Sequence, residues 1–285
     1  MDVKKVAVIG GGTMGNGIAQ VFAVNSIPVN LVETKQEFAD RALNTIEKNL
    51  ARMIKKEKIT DEHKVSALDD ITAFLDIAKG VKNVDLVIEA VPENMDIKKS
   101  VWEQVEAAAP EHAIFASNTS SISITKLAGI TSRPEKFIGM HFFNPVPVMK
   151  LVEIVRGLQT SDETYNSIEK SARILDKTPV PVNDFPGFVS NRVLMPMINE
   201  AIFCVGEGVA TAKHVDEVMK LGMAHPMGPL RLADFIGLDV CLDILNVLYD
   251  GFKDPKYRPA PLLVKMVDAG KLGDKTGEGF YKKEE

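Results

Sequence analysis

The chain is poor in the features that mark several whole classes of protein. It holds two cysteines in 285 residues, Cys204 and Cys241, far apart and with no metal-ligand spacing. A chain of this length can bury a core without a disulfide framework, so both read as reduced core thiols. No apolar run approaches the ~20 residues that span a bilayer, which argues against a membrane protein. There is no basic excess: 34 Lys and Arg stand against 39 Asp and Glu, for a formal net charge of −5. An electrostatic nucleic-acid binder would normally be basic, so that class is set aside. No repeats and no low-complexity tracts interrupt the chain. The first residues, Met1-Asp2-Val3-Lys4-Lys5, run straight into a short apolar segment with no secretory or transit signal, and a cytoplasmic location is the expectation.

What is present is a regular alternation. Short, mostly apolar segments at 6–9, 29–32, 84–90 and 113–116 read as strands buried on both faces. Helical patterns at 13–24, 36–58 and 95–109 separate them, and that alternation predicts a parallel sheet with helices on both faces. The pattern changes near Phe137. Strands at 137–142 and 151–155 are joined by a Pro-containing loop too short for a parallel crossover, so the pair is predicted antiparallel. A helix at 164–176 and a short strand at 180–182 follow. Strand signals then stop. Helices are predicted near 186–205, 211–221, 228–249 and 260–269, with Pro186 in a first turn and Asp184 as its cap. The expected architecture is α/β: a Rossmann-type doubly wound sheet with an antiparallel extension over 1–183, then an all-helical domain over 184–285.

Gly10, Gly12 and Gly15 satisfy the G-x-G-x-x-G spacing between a buried strand and a helix, the context in which that spacing signals a dinucleotide site. The first glycine permits a tight turn, the second lets backbone approach a pyrophosphate, and the third lets helix and strand pack closely. The helix N-terminus favours the phosphate charge. Glu33 closes the next strand, where a carboxylate accepts hydrogen bonds from a ribose diol and repels a 2′-phosphate, which points to NAD rather than NADP.

Four polar residues stand out beyond this loop. His141 and Glu153 are symmetric about Pro147, so antiparallel pairing would set them opposite each other. A carboxylate beside an imidazole fixes its tautomer and stabilises the imidazolium, as a general base requires. Taken alone, the two read equally well as a buried structural pair. Ser120 falls at the carboxyl edge of the sheet, where ligands bind in open α/β folds, or else caps a helix within Ser120-Ser121-Ile122-Ser123. Asn191 lies on the first helix of the second half, where an asparagine is more often a packing residue.

Together these residues resemble the short-chain L-3-hydroxyacyl-CoA dehydrogenases, above all the bacterial 3-hydroxybutyryl-CoA dehydrogenases. The resemblance is carried by Gly10-Gly11-Gly12-Thr13-Met14-Gly15, Ala116-Ser117-Asn118-Thr119-Ser120-Ser121, His141-Phe142-Phe143-Asn144-Pro145, Pro186-Gly187-Phe188-Val189-Ser190-Asn191-Arg192 and Lys275-Thr276-Gly277-Glu278-Gly279-Phe280-Tyr281, in the family's order along nearly the whole chain. It implies oxidation of an (S)-3-hydroxyacyl-CoA by NAD, or the reverse, in butyrate or butanol formation or in fatty-acid oxidation. His141 would be the base, Glu153 its partner, and Ser120 and Asn191 would hold substrate oxygens. Thr13, Met14, Ala90, Glu93, Lys98, Asn118, Ser120, Asn144 and Lys275, with the glycines and Glu33, would lie around the cofactor. Asn49 and Lys56 would touch CoA, although a lysine run at a helix C-terminus is also what the dipole favours by itself. The helical half would contribute to the substrate cleft and to a homodimer or higher oligomer. Two other readings use the same residues: a dehydrogenase of free hydroxy or sugar acids, and a non-catalytic NAD-binding protein like the lens crystallins of the wider family.

Overall fold

Strand β1 (Val6–Ile9) is an inner strand, third from one edge, of an eight-stranded sheet in this computed structural model, which describes residues 1–282. Helix α1 (Thr13–Val24), strand β2 (Val29–Val32), helix α2 (Gln36–Lys55), helix α3 (Asp61–Asp69) and strand β3 (Ile71–Phe74) follow it. The chain then crosses through α4 (Ile77–Val81) to β4 (Leu86–Glu89), α5 (Met95–Ala108), β5 (Ile114–Ser117), α6 (Ile124–Ala128) and β6 (Phe137–Phe142). Strand β7 (Leu151–Arg156), helix α7 (Asp162–Ile174) and strand β8 (Thr178–Asn183) complete this part. The order is β3-β2-β1-β4-β5-β6-β7-β8. The first six strands are mutually parallel; β7 pairs antiparallel with β6, and β8 runs parallel to β7. The predicted doubly wound sheet with an antiparallel extension is therefore present.

Apolar strands force this layering. Every residue of β1, β2, β4 and β5 is buried, so helices must cover both faces. One face packs on α1 and α2 through Ile18, Phe22, Ile46 and Leu50, all fully buried. Trp102 of α5 packs on the rings of Phe115 (5.3 Å) and Phe137 (4.7 Å). Strand order reverses between β1 and β4, so the loop after β1 opens at the switch point where such sheets bind ligands.

The chain divides into two compact units, Met1–Asp184 and Phe185–Glu285. The second is helical: α8 (Ser190–Gly206), α9 (Ala212–Gly222), α10 (Pro229–Ile236), α11 (Leu238–Phe252) and α12 (Pro261–Asp268). Its core includes Met195, Ile202, Leu230, Leu245, Leu248 and Leu263.

Three expectations need correction. The single helix predicted over 228–249 is two, because Gly237 adopts φ +106°, which a side chain rarely permits. Helix α8 starts at Ser190 rather than near Pro186. Asp184 does not cap it: its Oδ2 accepts from Ser123 Oγ (2.7 Å) and Thr125 N (2.8 Å), satisfying the start of α6 instead. Finally, α3, β3 and α4 lie where no element was expected. Only Ala67 of α3 and Ile71 of β3 are buried, so neither element leaves much apolar periodicity to read.

Candidate active site

The glycine loop is shaped by two close approaches. Gly10 has φ +92°, and a Cβ there would come within 2.8 Å of the Ala90 carbonyl. A Cβ on Gly15 would come within 1.7 Å of the Gly10 carbonyl, so α1 can start against the loop only with glycine at that point. Gly12, the N-cap of α1, would meet nothing within 4 Å. It makes no side-chain cap bond, and the first turn carries no acidic residue. The first N–H groups of a 12-residue helix are thus left for an anion at an open glycine, which fits a dinucleotide pyrophosphate. Beside the loop, Glu33 Oε1 accepts from Gly11 N (2.5 Å) and Oε2 from Thr34 N (3.0 Å), fixing the carboxylate at the rim of the loop.

A pocket of about 380 Å³ adjoins the loop, within the usual size range of small-ligand sites. Gly12 and Thr13 form one wall, Arg41, Thr45 and Asn49 of α2 a second, and Asn144 to Pro147 a third. The spacing of Arg41, Thr45 and Asn49 puts them on one helix face. That spacing is legible in the sequence, and of the three Asn49 is an expected contact. Lys56 is exposed at the C-cap of α2 and does not line this pocket.

The third wall is built by the β6–β7 hairpin. Val146 seats against α1 at Gly17, where a Cβ would come within 2.9 Å of it. Lys177, 8 % exposed, donates from Nζ to the carbonyls of Val146 (2.5 Å) and Met149 (2.7 Å), closing the loop from behind.

Within that hairpin, His141 is the register partner of Glu153, as the symmetry about Pro147 predicts. His141 Nδ1 lies 2.8 Å from Glu153 Oε2, and both residues are buried. The Phe143 ring packs 4.7 Å from the imidazole. Asn118, just past β5, accepts at Oδ1 from Phe142 N (2.9 Å) and so ties the ends of β5 and β6 together next to His141.

Ser120 sits on the loop after β5, and Glu93 organises that loop. One oxygen of Glu93 accepts from Thr119 Oγ1 (2.5 Å), Ser120 N (3.1 Å), Ser121 N (3.0 Å) and Ser121 Oγ (2.8 Å). The other lies 3.2 Å from Lys98 Nζ. Burial works to raise the Glu93 carboxyl, but the Lys98 ammonium and the two hydroxyls outweigh it and hold the group below the ordinary carboxylate range. Lys98 is 1 % exposed and also contacts Glu89 Oε1 (2.7 Å), whose second oxygen accepts from Ser117 Oγ (2.7 Å). Glu89 and Ser117 escaped the sequence reading; the signal was an acid ending an otherwise apolar strand, Leu86-Val87-Ile88-Glu89. The first turn of α6 is capped by Ser123, not by Ser120.

Asn191 and Lys275 belong to the second unit. Asn191 is buried on the first turn of α8, with its backbone N–H on the Gly187 carbonyl (3.1 Å). Lys275 pairs with Asp239 at the start of α11. Partial burial works to raise Asp239, yet this ammonium keeps its carboxyl below the usual range.

Comparison with known proteins follows the same division. The family model described as 3-hydroxyacyl-CoA dehydrogenase, NAD binding domain, matches residues 5–185. The one described as 3-hydroxyacyl-CoA dehydrogenase, C-terminal domain, matches 187–283. A probable 3-hydroxybutyryl-CoA dehydrogenase of Deinococcus radiodurans is 55 % identical over 280 residues, covering 98 % of this chain and 99 % of its own. The 3-hydroxybutyryl-CoA dehydrogenase of Bradyrhizobium diazoefficiens is 50 % identical over 98 % of this chain and 95 % of its own. The crystal structure of (S)-3-hydroxybutyryl-CoA dehydrogenase from Ralstonia eutropha superposes with a TM-score of 0.97 at 51 % identity, covering both chains completely.

Proposed function

The chain belongs to the 3-hydroxyacyl-CoA dehydrogenase family, NAD-dependent enzymes of 3-hydroxyacyl-CoA oxidation, and we propose that its own substrate is the four-carbon (S)-3-hydroxybutyryl-CoA, oxidised to acetoacetyl-CoA or formed from it. The names of its relatives support the chain length. The observation that carries the chemistry is the buried His141–Glu153 pair, 2.8 Å apart at the end of β6.

Four residues share the work. Ser120 and Asn191 donate hydrogen bonds to substrate oxygens and place the C3 hydroxyl toward His141. With Nδ1 committed to Glu153, His141 takes the hydroxyl proton at Nε2 as the C3–H bond breaks. Glu153 stabilises the imidazolium that results, and the same proton returns to the substrate oxygen in the reverse direction. NAD, when bound, supplies the hydride acceptor. Gly10, Gly12, Thr13, Met14, Gly15 and Ala90 form its phosphate cradle, Glu33 holds the ribose, and Glu93, Asn118, Asn144 and Lys275 surround the remainder, with Lys98 enclosed behind Glu93. Asn49 and Lys56 take the CoA nucleotide. Among the described residues no helix is long and apolar enough to cross a membrane. A homodimer through the helical unit, working in the cytoplasm, completes the proposal.

Initial rates with acetoacetyl-CoA and with free acetoacetate, each with NADH and NADPH, test it. Turnover is expected with acetoacetyl-CoA and NADH. A preference for free acetoacetate would transfer the chain to the hydroxy-acid branch, and no turnover on either would overturn the assignment of His141.

A further inference from the structure

We infer that Lys98 is a positioning residue, which acts through Glu93 to set the place of Ser120. Its ammonium is 1 % exposed and lies between two carboxylates, Glu89 Oε1 at 2.7 Å and Glu93 Oε2 at 3.2 Å. A side chain this enclosed, with its ammonium held between two carboxylates, presents no open face to a ligand. Glu93, by contrast, is 38 % exposed at its side chain and belongs to the loop that precedes α5. One of its oxygens receives four donors from Thr119, Ser120 and Ser121.

The order of dependence follows from burial. Glu89 is fully buried at the end of β4 and held from its other side by Ser117 of β5, so it is fixed by the sheet. It fixes Lys98. Lys98 then fixes Glu93, a carboxylate two residues beyond Val91, the last position of this loop tied back to Glu89. Glu93 in turn is the template on which the turn at 119–121 folds. A carboxylate with four donors on one oxygen keeps its shape best when a cation neutralises the other. The cluster thereby carries sheet geometry across to Ser120. The inference rests on the role proposed above for the Ser120 hydroxyl.

The test uses the whole protein with acetoacetyl-CoA and NADH. Glu89→Gln combined with Lys98→Met removes one carboxylate and the ammonium together, so no buried charge is left alone. Glu93→Gln is the second variant. It cuts the link and leaves the Lys98–Glu89 pair intact, and it keeps the reasoning testable if the first variant does not fold. Each is expected to lower kcat about tenfold, the scale of a small displacement of a positioning group, and in the first variant KM for NADH should change less than about twofold. In a Ser120→Ala background the same changes should cost less than about twofold, since residues that act as one unit are not additive. Amide exchange at Ser120 and Ser121 should quicken in both variants. Two kinetic results would overturn the inference. Losses that multiply with Ser120→Ala make Lys98 a general scaffold residue. In the first variant, a rise in KM for NADH matching the fall in kcat/KM makes Lys98 a cofactor contact. Unchanged amide exchange also overturns it, whatever the kinetics of Ser120→Ala. Full turnover in Ser120→Ala, by contrast, sinks the role of that hydroxyl and leaves exchange to decide the cluster.

Discussion

Glu153→Gln isolates the electrostatic part of the proposed catalytic pair. The substitution keeps the shape and an oxygen that can accept from His141 Nδ1 at the 2.8 Å now seen, but removes the charge. Glu153 is 2 % exposed and His141 is 6 % exposed, so water does little to replace the lost counter-ion. Two unit charges about 4 Å apart at an effective dielectric of about 20 interact by about 4 kcal/mol. The retained hydrogen bond offsets part of that, leaving about 3 kcal/mol on the transition state in which the imidazolium forms. At 1.36 kcal/mol per decade this is about a hundredfold in kcat. The assay is NADH formation from (S)-3-hydroxybutyryl-CoA at saturating substrate and NAD, with a thermal melt to verify folding. His141→Gln should lose roughly 10²–10⁴-fold by the ordinary scale of general base catalysis. The double variant should be no worse than His141→Gln, because Glu153 acts only through the ring. A folded Glu153→Gln enzyme within about fivefold of wild type, against the hundredfold expected from the charge, would refute the reasoning.

Other perturbations follow from the same geometry. Glu33→Gln keeps an acceptor for Gly11 N and removes the charge that repels a 2′-phosphate, so the kcat/KM ratio of NADH over NADPH should fall by about tenfold or more; an unchanged ratio would move cofactor choice to another residue. Lys177→Met leaves the carbonyls of Val146 and Met149 without their buried donor, and should lower unfolding free energy by about 2 kcal/mol in urea titrations. A variant as stable as the parent would show that those carbonyls find other donors. Glu93, held below its ordinary value of 4.5 in the folded protein, contributes stability that is present above that pH and lost as pH falls through the lowered value. The melting temperatures of wild type and Glu93→Gln should therefore converge in acid, and a gap that stays constant below pH 4.5 would contradict the sign.

What the sequence disclosed and what it hid differ for a physical reason. Strands β1, β2, β4 and β5 are buried on both faces, so apolar residues dominate each of them, and each was legible. His141 and Glu153 were legible as a pair because register in a hairpin is set by symmetry about its loop, and β6 and β7 keep that register. Helix α3 and strand β3 bury one residue each and left almost no periodic trace. The break at Gly237 was hidden because apolar residues recur on both sides of it, while only the backbone angle marks the end of α10. The Glu89–Lys98–Glu93 cluster was hidden in another way. Its members come from a strand end, a helix and a loop, and nothing but the packing of β4 against β5 brings Ser117 to Glu89. Sequence pattern reports burial and periodicity; it does not report which buried charges meet. Resemblance supplied Glu93 and Lys98 as names around a cofactor. Only the fold separates the two, with Glu93 at the loop surface and Lys98 wholly enclosed behind it. A residue can thus keep its place in a family's binding region while its physical work is to hold another residue still.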